Sequence, residues 1–255
     1  MQPEPGAESD RPRDLESQVP EGVSPEGLMK VLGHRGASRD HAENSQEAFA
    51  ACAALGADGF ELDVRRSADD VLVVVHDAVL PDGRVVRETM AADLPETIPL
   101  LADALERNAG QFINIEIKNH PSDPDYDAEF GISIAVAGLV AAFSAAHRVL
   151  ISSFDMATIL RIREADETIP LAWLTFGQAD PRQIIARAQA HELAAINPHD
   201  LLVDQAFVDR AHEAGLDVYT WTVDDPERIV ELDRFGVDGV ITNDPAGALS
   251  ALGRR

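Results

Sequence analysis

The chain has 255 residues, 45% of them hydrophobic, enough for one large domain or two small ones with a sizeable core. Its formal net charge of −24 sets it against nucleic acid and anionic membrane surfaces, because the field of the whole molecule repels both. An anionic substrate therefore needs local neutralisation by a metal or by placed cations, and of the 21 basic residues only Lys30 and Lys118 are lysines.

Residues 1–27 carry seven acids against two arginines and almost no apolar side chains, the composition of a disordered acidic tail. The N-terminus has no basic start leading into an apolar core, and no run reaches the length of a membrane span. Cys52, the only cysteine, sits in the Ala-rich stretch Ala48–Leu55 as a buried small hydrophobe. The expectation is a cytoplasmic protein without stable membrane association, monomeric or homodimeric.

Residues 28–255 read as one domain of alternating strands and helices. Strands are predicted at Val31–Gly33, Gly59–Val64, Val71–His76, Phe112–Lys118, Val149–Ser153, Leu171–Phe176, Ala194–Asn197, Asp217–Val223 and Gly239–Thr242. Helices are predicted at Ser45–Leu55, Ile98–Arg107, Phe130–Ala146, Met156–Ala165, Pro181–His191, Asp204–Ala214, Pro226–Phe235 and Pro245–Leu252. Too few residues separate Val64 from Val71 for a crossover helix, so Val71–His76 is read as a hairpin partner of the strand before it. The other eight strands make a (β/α)₈ TIM barrel. An open doubly wound sheet competes, but no Gly-x-Gly-x-x-Gly run follows any strand.

The chemistry gathers at the predicted strand ends, where a barrel carries its site. Glu61 and Asp63 lie two apart in an apolar strand and so share a face. Buried like charges repel, and a shared hard cation such as Mg²⁺ or Ca²⁺ removes the conflict. A hairpin closing near Asp69 pairs positions whose numbers sum to 139 and sets Asp63 opposite His76 on one face. Glu116 supplies a third carboxylate. Arg35 and Lys118 suit phosphate oxygens, and His34 and His76 suit an acid–base pair near neutral pH. Later strand ends bear Ser152-Ser153-Phe154, Asn197 with His199, Trp221 and Asn243-Asp244.

These residues stand in an ordered series of motifs. His34-Arg35-Gly36 is followed by Glu43-Asn44-Ser45, Glu61-Leu62-Asp63-Val64 and His76-Asp77. Then come Ile98-Pro99-Leu100-Leu101, Asn114-Ile115-Glu116-Ile117-Lys118, Trp221-Thr222-Val223 and Thr242-Asn243-Asp244-Pro245. The series resembles the glycerophosphodiester phosphodiesterase family over nearly all of residues 31–245. The resemblance implies a (β/α)₈ barrel that hydrolyses small glycerophosphodiesters to glycerol 3-phosphate and an alcohol. It implies one divalent cation on Glu61, Asp63 and Glu116, acid–base roles for His34 and His76, phosphate contacts from Arg35 and Lys118, and a pocket lined by Trp221. The nucleophile is water or the substrate's own glycerol 2-hydroxyl.

Three departures from the family pattern stand out, one of them that Ala78–Gly83 lacks the Arg-Thr-Thr stretch that often follows His-Asp. Asp69-Asp70 replaces the usual Asp-Gly of the hairpin turn, and the segment 78–97 is short, which affects the lid over the substrate. Two rival readings share the constellation: a lysophospholipase D-like activity on lysolipids, and a non-catalytic barrel that binds glycerophosphodiesters.

Overall fold

The alternation of apolar runs and capped amphipathic stretches folds as a closed barrel. A computed structural model describes residues 27–177 and 180–254, so the expected acidic tail, apart from Gly27, lies outside the described residues. The elements in order are β1 (Lys30–Gly33), α1 (Gln46–Leu55), β2 (Gly59–Arg66), β3 (Leu72–Val74), α2 (Leu101–Arg107), β4 (Phe112–Ile117), α3 (Gly131–Ala142) and β5 (Val149–Ser153). They continue with α4 (Met156–Ala165), β6 (Leu171–Thr175), α5 (Pro181–Ala190), β7 (Ala195–Pro198), α6 (Gln205–Glu213), β8 (Asp217–Thr220), α7 (Pro226–Phe235), β9 (Gly239–Thr242) and α8 (Pro245–Ala251). All the strands but β3 pair in parallel, and β1 bonds both β2 and β9, which closes an eight-stranded (β/α)₈ barrel. The antiparallel β3 hangs on β2 as the extra hairpin strand.

Local chemistry starts the helices where the strands end. Asp180-Pro181, Asp225-Pro226 and Asp244-Pro245 each set an aspartate cap before a proline in the first turn, where the missing N–H has no helical partner to lose. Strand alternation divides the core in two. Ile113, Ile115 and Ile117 of β4 join the layer between barrel and helices, while Phe112 joins Leu32, Leu150, Ala172, Ala195, Tyr219 and Ile241 inside the barrel. Gly59 lies beside Phe112 because a Cβ there would come within 1.8 Å of the Phe112 carbonyl oxygen. Among the described residues no helix is long and apolar enough to cross a membrane.

The structure corrects three expectations. The hairpin register sums to 138, with Val64 opposite Val74 and Arg66 opposite Leu72, so Asp63 faces Val75 rather than His76. The cause is a three-residue loop, Ala68–Asp70, in which Asp70 takes the left-handed conformation (φ 63°) usual for glycine there. Ser67 Oγ supports the loop, accepting from Val71 N and donating to Asp69. The second helix begins at Leu101, not Ile98, because Pro99 O accepts from Val74 N and Leu100 bridges Val73. The helix from Gly131 ends at Ala142 rather than Ala146, where Ser144 turns left-handed (φ 50°) and Ala145 N bonds back to Val140 O.

Candidate active site

Along β2 and β4 the inward positions rise from apolar to polar to acidic. Gly59 pairs with Phe112, Glu61 with Asn114 and Asp63 with Glu116, so the parallel register itself sets two carboxylates side by side at the upper end. Glu61, Asp63 and Glu116 are all buried, and each can offer one oxygen to a set lying within 4.8 Å of one another. Beneath them runs a buried amide chain: Asn197 Nδ2 donates to Asn114 Oδ1 (3.0 Å), and Asn114 Nδ2 donates to Ser152 Oγ (2.9 Å).

Two cations lie against this trio. Arg35 Nε stands 3.2 Å from Asp63 Oδ2, and its main-chain N donates to Glu61 Oε2 at 2.9 Å. Lys118 Nζ is 3.1 Å from Asp63 Oδ1 and 2.5 Å from Glu116 Oε1. Burial would raise the Asp63 carboxyl, but Lys118, Arg35 and the charge of His76 outweigh it and hold it below its ordinary value. Burial, then the charges of Asp63 and Glu116, push Glu61 well above the usual carboxylate range. Burial also lifts Glu116, to about 7, against the pull of Lys118. A trio whose members cannot all ionise comfortably is short of positive charge. Glu61 Oε1 is moreover buried without a hydrogen-bond partner, and the donors are all hard carboxylate oxygens. These residues fit one divalent cation of the oxygen-loving kind.

The histidines approach from two loops. His34 follows β1; its Nδ1 lies 2.7 Å from Asn243 Oδ1. Asn243 Nδ2 donates to Asp224 Oδ2 (2.7 Å), which fixes the amide so that Oδ1 accepts from His34 Nδ1–H and leaves Nε2 as the lone-pair nitrogen. Burial lowers the His34 pKa, with Arg35 and Lys118 adding to it, so the ring is neutral near pH 7. His76 lies two residues beyond the end of β3, and its Nδ1 is 2.7 Å from Asp77 Oδ1. The register shift takes it off the Asp63 ladder position. His76 nonetheless stays beside the trio, because Val75, the residue before it, donates its N–H to Asp63 O at 3.0 Å.

Trp221 stands at the rim beyond β8, its Nε1 donating to Asn197 O at 2.8 Å. It meets Phe154, Phe176 and His199 edge to face at 5.5, 5.2 and 5.3 Å, and Lys118 Nζ lies 6.0 Å from the Phe154 ring centre. The aromatic rim thus adjoins the lysine side of the site. Cys52 is buried away from it, its thiol pushed up to about 12 by burial.

Residues 34–247 match the glycerophosphoryl diester phosphodiesterase family. The chain belongs to that family. A glycerophosphodiester phosphodiesterase of Caldanaerobacter subterraneus subsp. tengcongensis is 28% identical over 241 residues, covering 84% of this chain and 94% of that one. The crystal structure of a glycerophosphodiester phosphodiesterase from Thermotoga maritima is 26% identical and superposes with a TM-score of 0.70, over 86% of this chain and 96% of that one. The fold is shared with an Oleispira antarctica phosphodiesterase solved in complex with its product sn-glycerol-3-phosphate, at 23% identity and a TM-score of 0.76, over 89% and 97% of the two chains.

In this family member, sequence reasoning passed over three residues that hold the site together. Asn44, read only as a possible helix cap, takes the left-handed conformation (φ 54°), donates Nδ2–H to Asp63 Oδ2 (2.8 Å) and accepts from Asp63 N (3.2 Å). Asp224 orients Asn243 from the loop after β8, and nothing in its local sequence marks it. Arg65 continues the inward alternation of Glu61 and Asp63, and that periodicity was the available signal.

Proposed function

We propose that the protein hydrolyses glycerophosphodiesters to glycerol 3-phosphate and an alcohol, with one divalent cation, Mg²⁺ or Ca²⁺, on Glu61, Asp63 and Glu116. The supporting observation is a buried carboxylate trio with one oxygen unpartnered, flanked by a guanidinium, an ammonium and two imidazoles. The cation, when bound, supplies positive charge to a non-bridging phosphate oxygen as the transition state gains negative charge. Arg35 and Lys118 hold the other phosphate oxygens, the first as a planar fork and the second as a point charge. His34, neutral with its Nε2 lone pair free, takes the proton of the attacking hydroxyl, either that of water or the glycerol 2-hydroxyl; in the second case a cyclic phosphate forms first and water then opens it to glycerol 3-phosphate. His76, its Nδ1–H given to Asp77, delivers a proton from Nε2 to the departing alkoxide. Trp221 lines the space for the leaving alcohol.

The test is release of glycerol 3-phosphate from glycerophosphocholine and glycerophosphoethanolamine after EDTA treatment, with Mg²⁺ or Ca²⁺ restored. Turnover that falls with EDTA and returns with a cation is expected. Folded protein giving no product with either cation would overturn the reading. One observation favours a second substrate class: Phe176, 61% exposed on the aromatic rim, offers an apolar surface to a lysolipid. A higher kcat/KM on lysophosphatidylcholine than on glycerophosphocholine would make the protein a lysophospholipase D-like enzyme on the same residues.

A further inference from the structure

Arg65 is an arginine with its charge taken almost wholly out of water. Its side chain is 5% exposed and ends in three interactions, each with a different residue. Nε donates to the main-chain carbonyl of His76 at 2.8 Å, Nη1 to Asp125 Oδ1 at 2.5 Å, and Nη2 to Asp123 Oδ2 at 3.3 Å. Asp125 is as deeply buried, its side chain 4% exposed. A buried guanidinium is tolerable only when paired, and the planar fork holds its partners in fixed directions, which an ammonium cannot do.

The three acceptors come from two loops that do not otherwise follow one another in sequence. His76 sits beyond β3, whose last ladder contact is Val75 N to Asp63 O; the next main-chain bond after it is Val86 N to Ala78 O, so the His76 carbonyl lies between two ladders and is taken by Arg65 alone among the described residues. Asp123 and Asp125 belong to the loop after β4, which begins at Lys118. That loop is itself pinned at its far end, where Arg66 Nη2 binds Asp127 (2.6 Å) and Asp127 N donates to Asn119 Oδ1 (2.7 Å). Arg65 therefore ties the main chain at His76 to a loop already fixed on the strand beside it.

We propose that Arg65 is the positioning residue of His76: it touches no substrate, but through the His76 carbonyl and Asp125 it sets where the imidazole stands. The proposal rests on the reading of His76 as proton donor to the leaving alkoxide. That reading supplies a test which a general loss of stability does not mimic, because a proton donor matters for a poor leaving group and hardly for a good one.

The experiment compares kcat and KM on glycerophosphoethanolamine, an alkoxide leaving group, with those on glycerol 3-(4-nitrophenyl phosphate), whose phenolate leaves unaided. The variants are Arg65→Lys, Asp125→Asn and His76→Ala, together with the double variant Arg65→Lys/His76→Ala, with thermal melts as the folding control. A displacement of the acid by about 1 Å should lower kcat on the alkoxide ester about 10- to 100-fold, with KM nearly unchanged and a much smaller loss on the nitrophenyl ester. The double variant should be no slower than His76→Ala alone. If His76→Ala discriminates between the esters and Arg65→Lys and Asp125→Asn do not, the positioning role is overturned while the reading of His76 stands. If His76→Ala slows both esters alike, the proton-donor reading fails and takes the positioning role with it.

Discussion

In metal-free protein, Glu116→Gln should raise stability at alkaline pH and leave it unchanged in acid. Burial lifts the Glu116 carboxyl from its ordinary 4.5 to about 7, against the pull of Lys118. A carboxyl raised on folding holds its proton more tightly in the folded chain than in the unfolded one. Its contribution to stability is thus complete below about pH 4.5 and is lost as the pH rises through about 7. A displacement of that size is worth about 3 kcal/mol. Glutamine has the shape of the protonated acid and does not ionise, so the two proteins should melt together near pH 4.5 and part above it. By about pH 8 the variant should lead by about 3 kcal/mol, or roughly 6–12 °C in a chain of this size. Calorimetry in EDTA across that range measures the gap, and groups away from the trio that titrate in both proteins cancel from it; Glu61, relieved of the Glu116 charge, adds to the variant's lead. Mg²⁺ or Ca²⁺ should then close or reverse the gap at about pH 8, since only the wild type has the full carboxylate set to gain from binding. A gap independent of pH, or a variant that melts below the wild type in EDTA at about pH 8, refutes the reasoning.

Three further substitutions separate the parts of the site. His34→Ala should lower kcat by about 10²–10⁴ while cation affinity, read by titration calorimetry, stays near that of the wild type. Asn44→Ala removes both hydrogen bonds to Asp63, so cation affinity should fall about 10- to 100-fold, with a stability loss of about 1–3 kcal/mol in urea unfolding. Gly36→Ala should cost about 2–5 kcal/mol in the same assay, since Gly36 is left-handed (φ 84°) and a Cβ there meets the Ala48 Cβ at 2.6 Å.

The barrel was legible in the sequence because its signals are local and repeated. Eight apolar runs separated by helical stretches, with caps such as Asp225-Pro226, fix element type almost everywhere, and the i, i+2 rule brought Glu61 and Asp63 to one face. What went astray turned on contacts across the chain. The hairpin register depends on whether the loop holds three residues, and Asp70 in a glycine's conformation decided that. Pro99 left its expected helix because Val74 recruited its carbonyl. Asn44 and Asp224 each act on a residue 19 positions away, where no periodicity speaks; for Arg65 the strand alternation marks its face but not its partner 11 positions on.

Charge balance suggests how so acidic a protein handles an anionic substrate. Glu61, Asp63 and Glu116 bring three negative charges when ionised, and Arg35 and Lys118 return two positive ones. The sum is one negative charge; Glu43, which also pairs with Arg35, is more than half exposed and left to solvent. A divalent cation turns that sum to one positive charge, which a phosphodiester monoanion cancels. The trio, its two cations, the divalent ion and the substrate then sum to zero, the state that a low-dielectric site penalises least, while His76 stands outside the sum with Asp77 as its own partner. Hydrolysis replaces the monoanion by a phosphate monoester carrying close to two negative charges at neutral pH. With the proposed cation bound, the assembly would then be negative inside a chain whose overall charge is −24, and that field would favour departure of the product.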